Sequence, residues 1–407
     1  MTGGYEERAD LGIQEPDDIL SPRHYAAVRR GGRSMRALPL WCYTAERFFA
    51  AEKEQIFLPS WNLMEREEIV PEAGDFRSMT FLGVSLLVVR GKDMKVRVFA
   101  NTCRHRGAQV AEGAGNCKAF RCPYHFWSYG LDGHLIGAPK YNDPDGAPLI
   151  DDTNRHEFGL AEIESGTWGG FIFVRFKPGT DTLEQHLGCF VETLASHRLE
   201  DMRCARKVVH EMDANWKCFF ENYIDTYHIP FVHQDSLARW KAEDNYVRMK
   251  ARGQEYLEFS EHEGSQLLLP FPGYDGLPPM PGIDKGKHGT FFSTLRPAMM
   301  MTLGSDGALV FQSEPISAKK SRLTVSSLFP KSYFERDDFE RLTQNYYRRN
   351  DIVVGEDKAI TLRQYAGIQS PYARIARLCT YETHLNQFAN WIVDRVIGPE
   401  SEAKAAE

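Results

Sequence analysis

Two cysteine–histidine pairs stand close together in the first third of the sequence. One residue separates Cys103 from His105, two residues separate Cys122 from His125, and sixteen residues lie between His105 and Cys122. Thiol and imidazole side chains in short pairs at the two ends of a segment are typical of metal sites. Four such ligands in two arms predict one closed metal site.

The division of these ligands between the two arms leaves two kinds of site open. Structural zinc usually takes two Cys from one arm and two His from the other. Here each arm supplies one of each, which suits a two-iron, two-sulfide cluster whose thiolates hold one iron and whose imidazoles hold the other. Because ligand spacing does not identify a metal, a zinc-stabilised binding protein without catalysis stays as an alternative. A pure electron carrier is a further alternative.

A second group of potential ligands lies in the segment 215–235, which has helical periodicity. Asp225 and His228 are three residues apart, so they are predicted on one face of a helix. His228 and His233 are five apart and would diverge on a regular helix, but Pro230 should kink or end it and bring His233 back. Two imidazoles and one carboxylate would form the facial triad of non-haem Fe(II) oxygenases.

The carboxylate of such a triad must come from another part of the chain. Asp357 is favoured because it lies in a helical pattern directly after a glycine and a glutamate, with Asp351 and Glu356 as its rivals. An iron–sulfur cluster and an oxygen-binding iron in one chain explain each other, since one delivers electrons and the other uses them on O₂. The sequence therefore predicts an oxidoreductase.

The two motifs resemble those of the oxygenase (alpha) subunits of Rieske non-haem iron aromatic-ring-hydroxylating oxygenases. The resemblance covers nearly the whole chain and is carried by NTCRHRG, RCPYHFWSYGLDGHL and NWKCFFENYIDTYHIPFVH, with PEAGDF and WGGFIFV around the first motif. It implies two sets of ligands: Cys103, His105, Cys122 and His125 for a Rieske [2Fe–2S] cluster, and His228, His233 and Asp357 for a mononuclear Fe(II).

The resemblance also implies how the protein works with partners. Members form trimers in which the cluster of one subunit serves the iron of the next, so a homotrimer or a multiple of it is expected, with a second subunit type open. Asp225 would bridge the two centres as a catalytic residue, bonded to His228 of its own chain and to His125 of its neighbour. Electrons would come from NAD(P)H through a separate reductase or ferredoxin, because no G-x-G-x-x-G opens a βαβ unit here.

The order of patterns predicts an α+β protein of three parts. Residues 1–41 are predicted to be a loosely structured arm, residues 42–178 an antiparallel-β Rieske domain that begins with one helix between Trp41 and Trp61, and residues 179–407 the catalytic domain. The resemblance implies a helix-grip fold for the last part, an antiparallel sheet around a long helix. Its predicted elements are a loop at 267–290, strands at 290–303, 308–315 and 321–329, helices at 333–365 and 381–397, and a disordered tail.

The substrate is the least determined feature of the sequence. The candidates for its pocket are Tyr223, Phe231, Phe292, Arg296 and Met300. Arg296 would suit a carboxylate, whereas aromatic faces would hold a quaternary ammonium group by cation–π attraction. The main prediction is hydroxylation, by mono- or dioxygenation, of a small aromatic or other organic acid. The alternative is oxidative N-demethylation or hydroxylation of a betaine-like quaternary ammonium compound.

Composition narrows the protein class further. A formal charge of −7 argues against nucleic acid as a partner, and no apolar run in the sequence is long enough to span a membrane. The polar, acidic start argues against a secretory signal, so a cytoplasmic location is predicted. The six other cysteines are scattered and are expected to stay reduced.

Overall fold

The computed structural model describes residues 15–239, 246–249, 254–261, 264–280, 282–283, 289–374 and 377–399. It has two compact units: a smaller one formed by Trp61–Leu183 with Leu199–Asp201, and a larger one that takes in the rest of the described chain. Helices and antiparallel sheets coexist, which confirms the predicted α+β class.

The smaller unit is built almost entirely of short antiparallel strands. They are β1 Asn62–Arg66, β2 Asp75–Phe81, β3 Val84–Arg90, β4 Val96–Ala100, β5 Ala114–Asn116, β6 Phe120–Arg121, β7 Ser128–Tyr129, β8 Leu135–Gly137, β9 Glu162–Trp168 and β10 Phe171–Arg175. Seven of them form one sheet in the order β1-β10-β9-β4-β3-β2-β5, and β6-β7-β8 form a second, three-stranded sheet.

One apolar core in this unit supports the predicted cluster ligands. Phe99, Trp127 and Tyr129 are at most 2% exposed, and Cys103 and Cys122 belong to the same buried group. Large aromatic side chains contribute most of the apolar area that such a small core can bury. The two cysteines are therefore fixed by the packing of the unit.

The larger unit contains a second seven-stranded antiparallel sheet. Its strands are β11 Met202–Met212, β12 Tyr246–Met249, β13 Glu255–Glu261, β14 Gly289–Leu295, β15 Met299–Leu303, β16 Ala308–Ser317 and β17 Lys320–Pro330. Their order in the sheet is β11-β17-β16-β15-β14-β13-β12.

The α-helices lie in the same unit, apart from the first residue of α3. They are α1 Trp41–Thr44, α2 Glu46–Glu52, α3 Leu183–Leu187, α4 Phe190–Thr193, α5 Trp216–Ile224, α6 Ile229–Val232, α7 Phe339–Ile368 and α8 Thr383–Val396. Single turns of 3₁₀-helix occur at Pro22–Tyr25, Gly32–Ser34, Glu67–Ile69, Arg155–Phe158, Ala195–His197, Leu199–Asp201, Leu237–Arg239, Lys331–Glu335 and Thr380–Glu382. Within the described ranges, no helix has both the length and the apolar character needed to cross a membrane.

The helix predicted between Trp41 and Trp61 is interrupted. Ala45 takes an extended conformation between α1 and α2, and α2 continues as a π-helical turn, Lys53–Phe57. These helices pack in the larger unit, where Phe57 meets Trp216 edge to face at 4.9 Å. The smaller unit accordingly starts at Trp61, not at the predicted residue 42.

A buried ion pair holds α2 against α5. Lys217 Nζ lies 2.6 Å from Glu52 Oε1, and both side chains are fully buried. Trp216 Nε1 donates to the other oxygen of Glu52 at 3.2 Å. The carboxylate therefore receives two donors, which is the condition under which a buried charge is tolerated.

The loosely structured arm predicted for residues 1–41 is wrong for its described part, residues 15–41. Tyr25 and Val28 are each 1% exposed, and the Tyr25 hydroxyl donates to the carbonyl oxygen of Ile19 at 2.6 Å. Apolar side chains spaced among polar ones bury against the larger unit and order the segment. Residues 1–14, and the tail predicted to be disordered from residue 400 onwards, lie outside the described residues.

The later predicted elements are found with shifted ends. The predicted strand 290–303 is a hairpin of β14 and β15, and the long helix begins at Phe339 after a 3₁₀ turn. Residues 267–280 contain neither helix nor strand, as predicted. The long helix α7 lies on the sheet, where Asn350 Nδ2 donates to Ser327 Oγ at 3.1 Å and Tyr346 meets Phe329 edge to face at 5.1 Å.

Candidate cluster and metal sites

Two loops of the same conformation present the four residues of the first motif. In each loop the cysteine N–H donates to the carbonyl five residues later, and the cysteine carbonyl accepts from the N–H four residues later. The residue at that fourth position has a positive φ in both loops, 75° at Gly107 and 58° at Phe126. Each loop therefore turns back on its cysteine and presents the nearby histidine beside it.

The four side chains are arranged with sulfur inside and nitrogen outside. Cys103 is 4% and Cys122 1% exposed, whereas His105 and His125 are half-buried and their Nδ1 atoms lie 3.1 Å apart. The Tyr129 hydroxyl lies 3.1 Å from Cys103 Sγ. Burial, followed by the nearby His125, lowers the pKa of His105, which favours the neutral imidazole that binds metals.

This arrangement fits a two-iron cluster better than a single zinc. The four ligand atoms of a tetrahedral zinc site would all lie within about 4 Å of one another, given bonds of about 2.0 to 2.3 Å. Among the described residues, the group of three or more possible ligands that gathers this closely consists of His228, His233 and Asp357. The thiol and imidazole pairs are thus placed for two separate metal ions, as in a [2Fe–2S] cluster with mixed ligands.

The second motif is broken one turn earlier than predicted. Helix α5 ends at Ile224, Asp225 is extended, and α6 begins at Ile229. Asp225 and His228 therefore do not share a helix face, because Asp225 Oδ1 accepts from the backbone N–H of Tyr227 at 2.7 Å and ends the helix. Pro230 lies in the first turn of α6, where a proline is tolerated.

Three side chains nevertheless converge on one point. His228 Nε2 lies 3.3 Å from His233 Nε2 and 3.4 Å from Asp357 Oδ1, and His233 Nε2 lies 3.0 Å from Asp357 Oδ1. Ligands at right angles around an ion with bonds of about 2.1 Å are separated by about 3 Å. The donor set and its spacing fit one metal ion that two imidazoles and a carboxylate would hold, as in the non-haem Fe(II) sites with this set of ligands.

The rival acids have other positions. Glu356 Oε2 accepts from His233 Nδ1 at 2.7 Å and from Ser236 Oγ at 2.7 Å, so it orients the ring that points its other nitrogen at the converging site. Asp351 pairs with Arg206 at 2.8 Å, and 55% of its side chain is exposed. The structure thus brings Asp357, and neither rival, to the two histidines.

The electrostatics of the three groups are strongly coupled. Burial raises the pKa of Asp357, but hydrogen bonds from His228, His233 and Asn222 outweigh it and lower the pKa to about 2. Burial lowers the pKa of His228, but the carboxylates of Asp225 and Asp357 outweigh it and raise the pKa to about 9. Asp357 is therefore ionised, as a ligand must be.

Asp225 lies on the other side of His228. Its Oδ2 is 3.4 Å from His228 Nδ1, an ion-pair distance at which no hydrogen bond is formed. The carboxylate is near enough to orient the imidazole.

The three convergent residues form part of the wall of a cavity of about 120 Å³ between the sheet, α5 and α7. The rest of the wall combines aromatic faces with a few polar groups, among them Tyr223, Tyr256, Glu258, Phe292, Phe311 and Arg349. An apolar cavity with a few polar groups beside a metal site is a typical place for a small organic substrate.

The predicted pocket residues divide into two groups. Tyr223 and Phe292 line the cavity. Phe231 is not among the residues that line this cavity, and it lies on the surface next to Tyr227 with 60% of it exposed. Arg296 is not among the lining residues either, and its guanidinium lies over the ring of Trp391 at 5.3 Å.

Met300 is not among the lining residues, although it lies on the same side of the sheet as two residues that are. It pairs with Thr294 on β14 and with Phe311 on β16, and both of these partners line the cavity. Met300 is fully buried between them.

Sequence reasoning missed several groups of the cavity. Arg349 and Val353 precede Asp357 by eight and four residues on α7, so the helical repeat that singled out Asp357 places them on the same face. Glu258 and Asn222 gave no comparable signal, because β13 is separated from the motif by many residues and Asn222 is one polar residue within a helix.

Known protein families match both parts of the chain. Residues 60–150 match the Rieske [2Fe–2S] domain, and residues 199–398 match the ring hydroxylating alpha subunit (catalytic domain). Choline monooxygenase of Spinacia oleracea is 25% identical over 86% of this chain and 76% of its own length. The glycine betaine monooxygenase oxygenase subunit of Pseudomonas aeruginosa is 25% identical over 91% of each chain.

Solved structures share the fold. A quaternary ammonium Rieske monooxygenase in complex with L-carnitine superposes with a TM-score of 0.72 at 23% identity, over 89% of this chain and 96% of the other. Naphthalene 1,2-dioxygenase from Rhodococcus bound to indole superposes with a TM-score of 0.71 at 18% identity, over 94% and 100%. These likenesses establish the fold and leave the substrate open.

Proposed function

From the premise that this chain belongs to the Rieske non-haem iron oxygenases, as the oxygenase (alpha) subunit, we propose that it hydroxylates a carbon bonded to the nitrogen of a quaternary ammonium compound. The family uses a Rieske cluster and a mononuclear iron, O₂, and electrons from a reductase. What is new in the proposal is the substrate and the residues that bind it. The quaternary ammonium class is the alternative prediction from the sequence, and the comparisons favour it over the aromatic or organic acid of the main prediction.

The observation that carries the proposal is the chemistry of the cavity wall. Tyr223, Phe292 and Phe311 present aromatic rings to the cavity beside the convergent His228, His233 and Asp357, with the Tyr223 and Phe311 centroids 5.5 Å apart. A quaternary ammonium group has no N–H and cannot donate a hydrogen bond from nitrogen, but the face of an aromatic ring attracts its positive charge. The relatives named above for choline and glycine betaine act on the same class of compound.

A carboxylate in the same wall strengthens the attraction for a cation. Glu258 lines the cavity and is 6% exposed. The Tyr256 hydroxyl donates to its Oε2, and His384 Nε2 lies 3.0 Å from that hydroxyl. Among the described residues, Glu258 accepts from the Tyr256 hydroxyl and forms no ion pair, so a bound ammonium group would balance its charge.

His228, His233 and Asp357 would hold the mononuclear iron, and Cys103, His105, Cys122 and His125 the cluster. When bound, these groups store an electron and activate O₂ for attack on a C–H bond. Glu356 would keep the His233 ring in place, and the aromatic wall would hold the substrate and exclude water.

The overall reaction balances with one O₂ and one NAD(P)H. One oxygen atom enters the C–H bond beside nitrogen, and the other leaves as water with two electrons from NAD(P)H and two protons. The hydroxylated carbon then leaves as an aldehyde and its hydroxyl proton is released to solvent, while the nitrogen keeps the electron pair of the broken C–N bond and a tertiary amine remains. Loss of a methyl group as formaldehyde is the expected case.

A turnover panel with a surrogate reductase tests this function. Choline, glycine betaine and γ-butyrobetaine should each be compared with benzoate for NAD(P)H-dependent product formation, with products identified by mass. We expect formaldehyde and the corresponding tertiary amine from at least one of the ammonium compounds. Conversion of benzoate, with no reaction of the ammonium compounds, would contradict the proposal.

We also propose that neighbouring copies complete each other, with Asp225 between His228 of one copy and His125 of the next. A Cys122→Ser chain, which should lack the cluster, can be co-expressed with a His233→Ala chain, which should lack the mononuclear iron. Mixed oligomers are expected to form product although each variant alone does not. Inactive mixed oligomers that retain both remaining metal centres would rule out transfer between copies. The homotrimer, the second subunit type and the cytoplasmic location stay predictions.

A further inference from the structure

Arg349 is a buried cation in the cavity wall. Neither the proposed binding of the metal ion nor that of the ammonium group involves it. It belongs to α7, two turns before Asp357, and only 4% of it is exposed. A guanidinium carries five N–H donors in a planar fork, so burying it calls for acceptors around it. Those acceptors are largely missing here.

The observed contacts of Arg349 leave donors unused. Nη1 donates to Asn350 Oδ1 at 3.3 Å, and within the described residues Nε has no hydrogen-bond partner. Burial lowers the pKa of Arg349 to about 10, against the attraction of Asp357 and Glu356, so the group stays charged at neutral pH. A buried charge with open donors beside a cavity is a binding site for an anion.

The charges around the cavity support a ligand that carries both signs. Asp225, Glu258 and Asp357 contribute three carboxylates to the wall, and Arg349 contributes one guanidinium. With neutral imidazoles, a ferrous ion would bring the formal charge of this wall to zero. A neutral zwitterion would preserve that balance, whereas a simple cation or a simple anion would upset it.

We propose that Arg349 binds a carboxylate of the substrate, and that the substrate is therefore a betaine, a molecule with a quaternary ammonium group at one end and a carboxylate at the other. The inference rests on the proposed function and narrows it. The aromatic rings and Glu258 would bind the ammonium end, and the guanidinium fork the carboxylate end. Arg349 acts as a specificity residue, since it takes no part in the reaction at the carbon beside nitrogen.

Direct binding separates this role from a structural one. Glycine betaine carries the carboxylate, and choline has a hydroxyl in its place with the same trimethylammonium group. Isothermal titration calorimetry with the purified holoprotein can compare both ligands in wild type, Arg349→Gln and Arg349→Lys. Arg348→Gln is the matched control, because the neighbouring Arg348 is exposed and lies over Tyr274 at 5.7 Å, away from the cavity wall.

We expect Arg349→Gln to weaken glycine betaine binding by about tenfold or more, and to leave choline binding within about twofold. Arg349→Lys should restore part of the loss because it keeps the charge, and Arg348→Gln should change neither ligand. In turnover, the loss should appear in KM for glycine betaine and much less in kcat. Iron and sulfide contents equal to those of wild type show that each variant is folded and loaded.

Two different failures can be told apart. Arg349 does not bind the carboxylate if choline and glycine betaine bind equally to wild type, or if both lose affinity equally in a fully loaded Arg349→Gln protein. Either result overturns this inference and leaves the proposed function standing. If none of the three ammonium compounds of the turnover panel binds to wild type or is converted by it, the proposed function fails, and the betaine assignment fails with it.

Discussion

The choice of Asp357 as third metal ligand depends on a difference of one residue in a helix. Asp357 faces His228 and His233, Glu356 reaches the back of His233, and Asp351 faces solvent and Arg206. Helical periodicity indicated the right region of α7. It could not decide between neighbouring acids, because the other two ligands, His228 and His233, lie more than a hundred positions earlier and their position relative to α7 depends on the fold.

Replacing the two aspartates tests this assignment. Asp357→Ala removes one of three ligands and is expected to lose most of the mononuclear iron and the product, while the cluster absorption stays. Asp351→Ala breaks only an exposed ion pair, worth at most about 1 kcal/mol, and should keep both. Iron and sulfide analysis measures the difference. Equal iron content in the two variants would show that Asp357 is not a ligand.

A second prediction for a single residue concerns Asp306, which lies in the turn between β15 and β16. Ser265 Oγ donates to it at 2.8 Å and the Tyr346 hydroxyl donates to its other oxygen, but burial outweighs both and raises its pKa to about 6. The folded protein therefore holds a proton that the unfolded chain releases at lower pH. This group reduces stability as the pH rises from about 4 to about 6.

Asp306→Asn should remove that pH dependence. Relative to wild type, the variant is expected to gain about 2 kcal/mol of unfolding free energy between about pH 4.5 and about pH 7. Asp338→Asn, which removes a half-buried carboxylate beside Arg336, should show no such gain. Urea denaturation at the two pH values gives the comparison. A constant difference between Asp306→Asn and wild type would contradict a raised pKa.

Sequence reasoning singled out Arg296, whereas Arg349 is the arginine that the structure places in the cavity wall. Arg296 was selected because it lies next to the apolar run of β15, yet it stacks on Trp391. Arg349 had the stronger signal, since it shares the helical repeat of Asp357. A basic residue one or two turns from a predicted ligand, on the same helix face, is a candidate that the helical repeat can indicate.

At the scale of elements, the paired loops of the smaller unit depend on one backbone conformation. Gly107 and Phe126 take positive φ at equivalent positions, and the turn of each loop requires it. An L-residue pays about 1 kcal/mol there relative to glycine. The sequence placed the ligands in loops, but the likeness of the loops was hidden because glycine and phenylalanine occupy the same position.

Gly107→Ala tests whether the loop conformation holds the cluster. Its added Cβ would meet only Thr102 Oγ1 at 3.7 Å, so the cost is one of backbone conformation. Gly113→Ala is the matched control, with a φ of 72° and no atom within 4 Å of the new Cβ, outside the ligand loops.

Both glycine variants should lose about 1 kcal/mol of stability, but only Gly107→Ala should lose sulfide and visible absorption. Retention of a full cluster in Gly107→Ala would show that the ligands do not need this turn.

The break between α5 and α6 illustrates a second limit of periodicity. The sequence indicated that His233 must return toward His228 and assigned the turn to Pro230. The structure makes the turn at Asp225, whose carboxylate bonds to the backbone two residues on. A hydrogen bond between a side chain and the backbone can end a helix because it replaces a hydrogen bond of the helix itself. The periodic spacing of apolar residues does not change at such a point, so periodicity alone does not show where the helix ends.

At the scale of the whole molecule, the order of the two parts and the α+β class could be predicted from motifs and strand patterns. The boundary could not, because the helices before Trp61 carry an ordinary amphipathic pattern that does not say which unit they cover. The substrate could not be predicted either, since its cavity draws on α5, α7 and three or more strands that are distant in sequence.

A single-turnover experiment tests the central claim that one chain couples its cluster to oxidation of a quaternary ammonium compound. The protein is reduced chemically, freed of reductant, and mixed with O₂ and glycine betaine without any reductase. We predict that formaldehyde and the demethylated amine appear while the cluster returns to its oxidised spectrum, and that His233→Ala forms neither product. Oxidation of the cluster in fully iron-loaded wild-type protein without any demethylated amine would contradict the coupling of the cluster to oxidation of a quaternary ammonium compound.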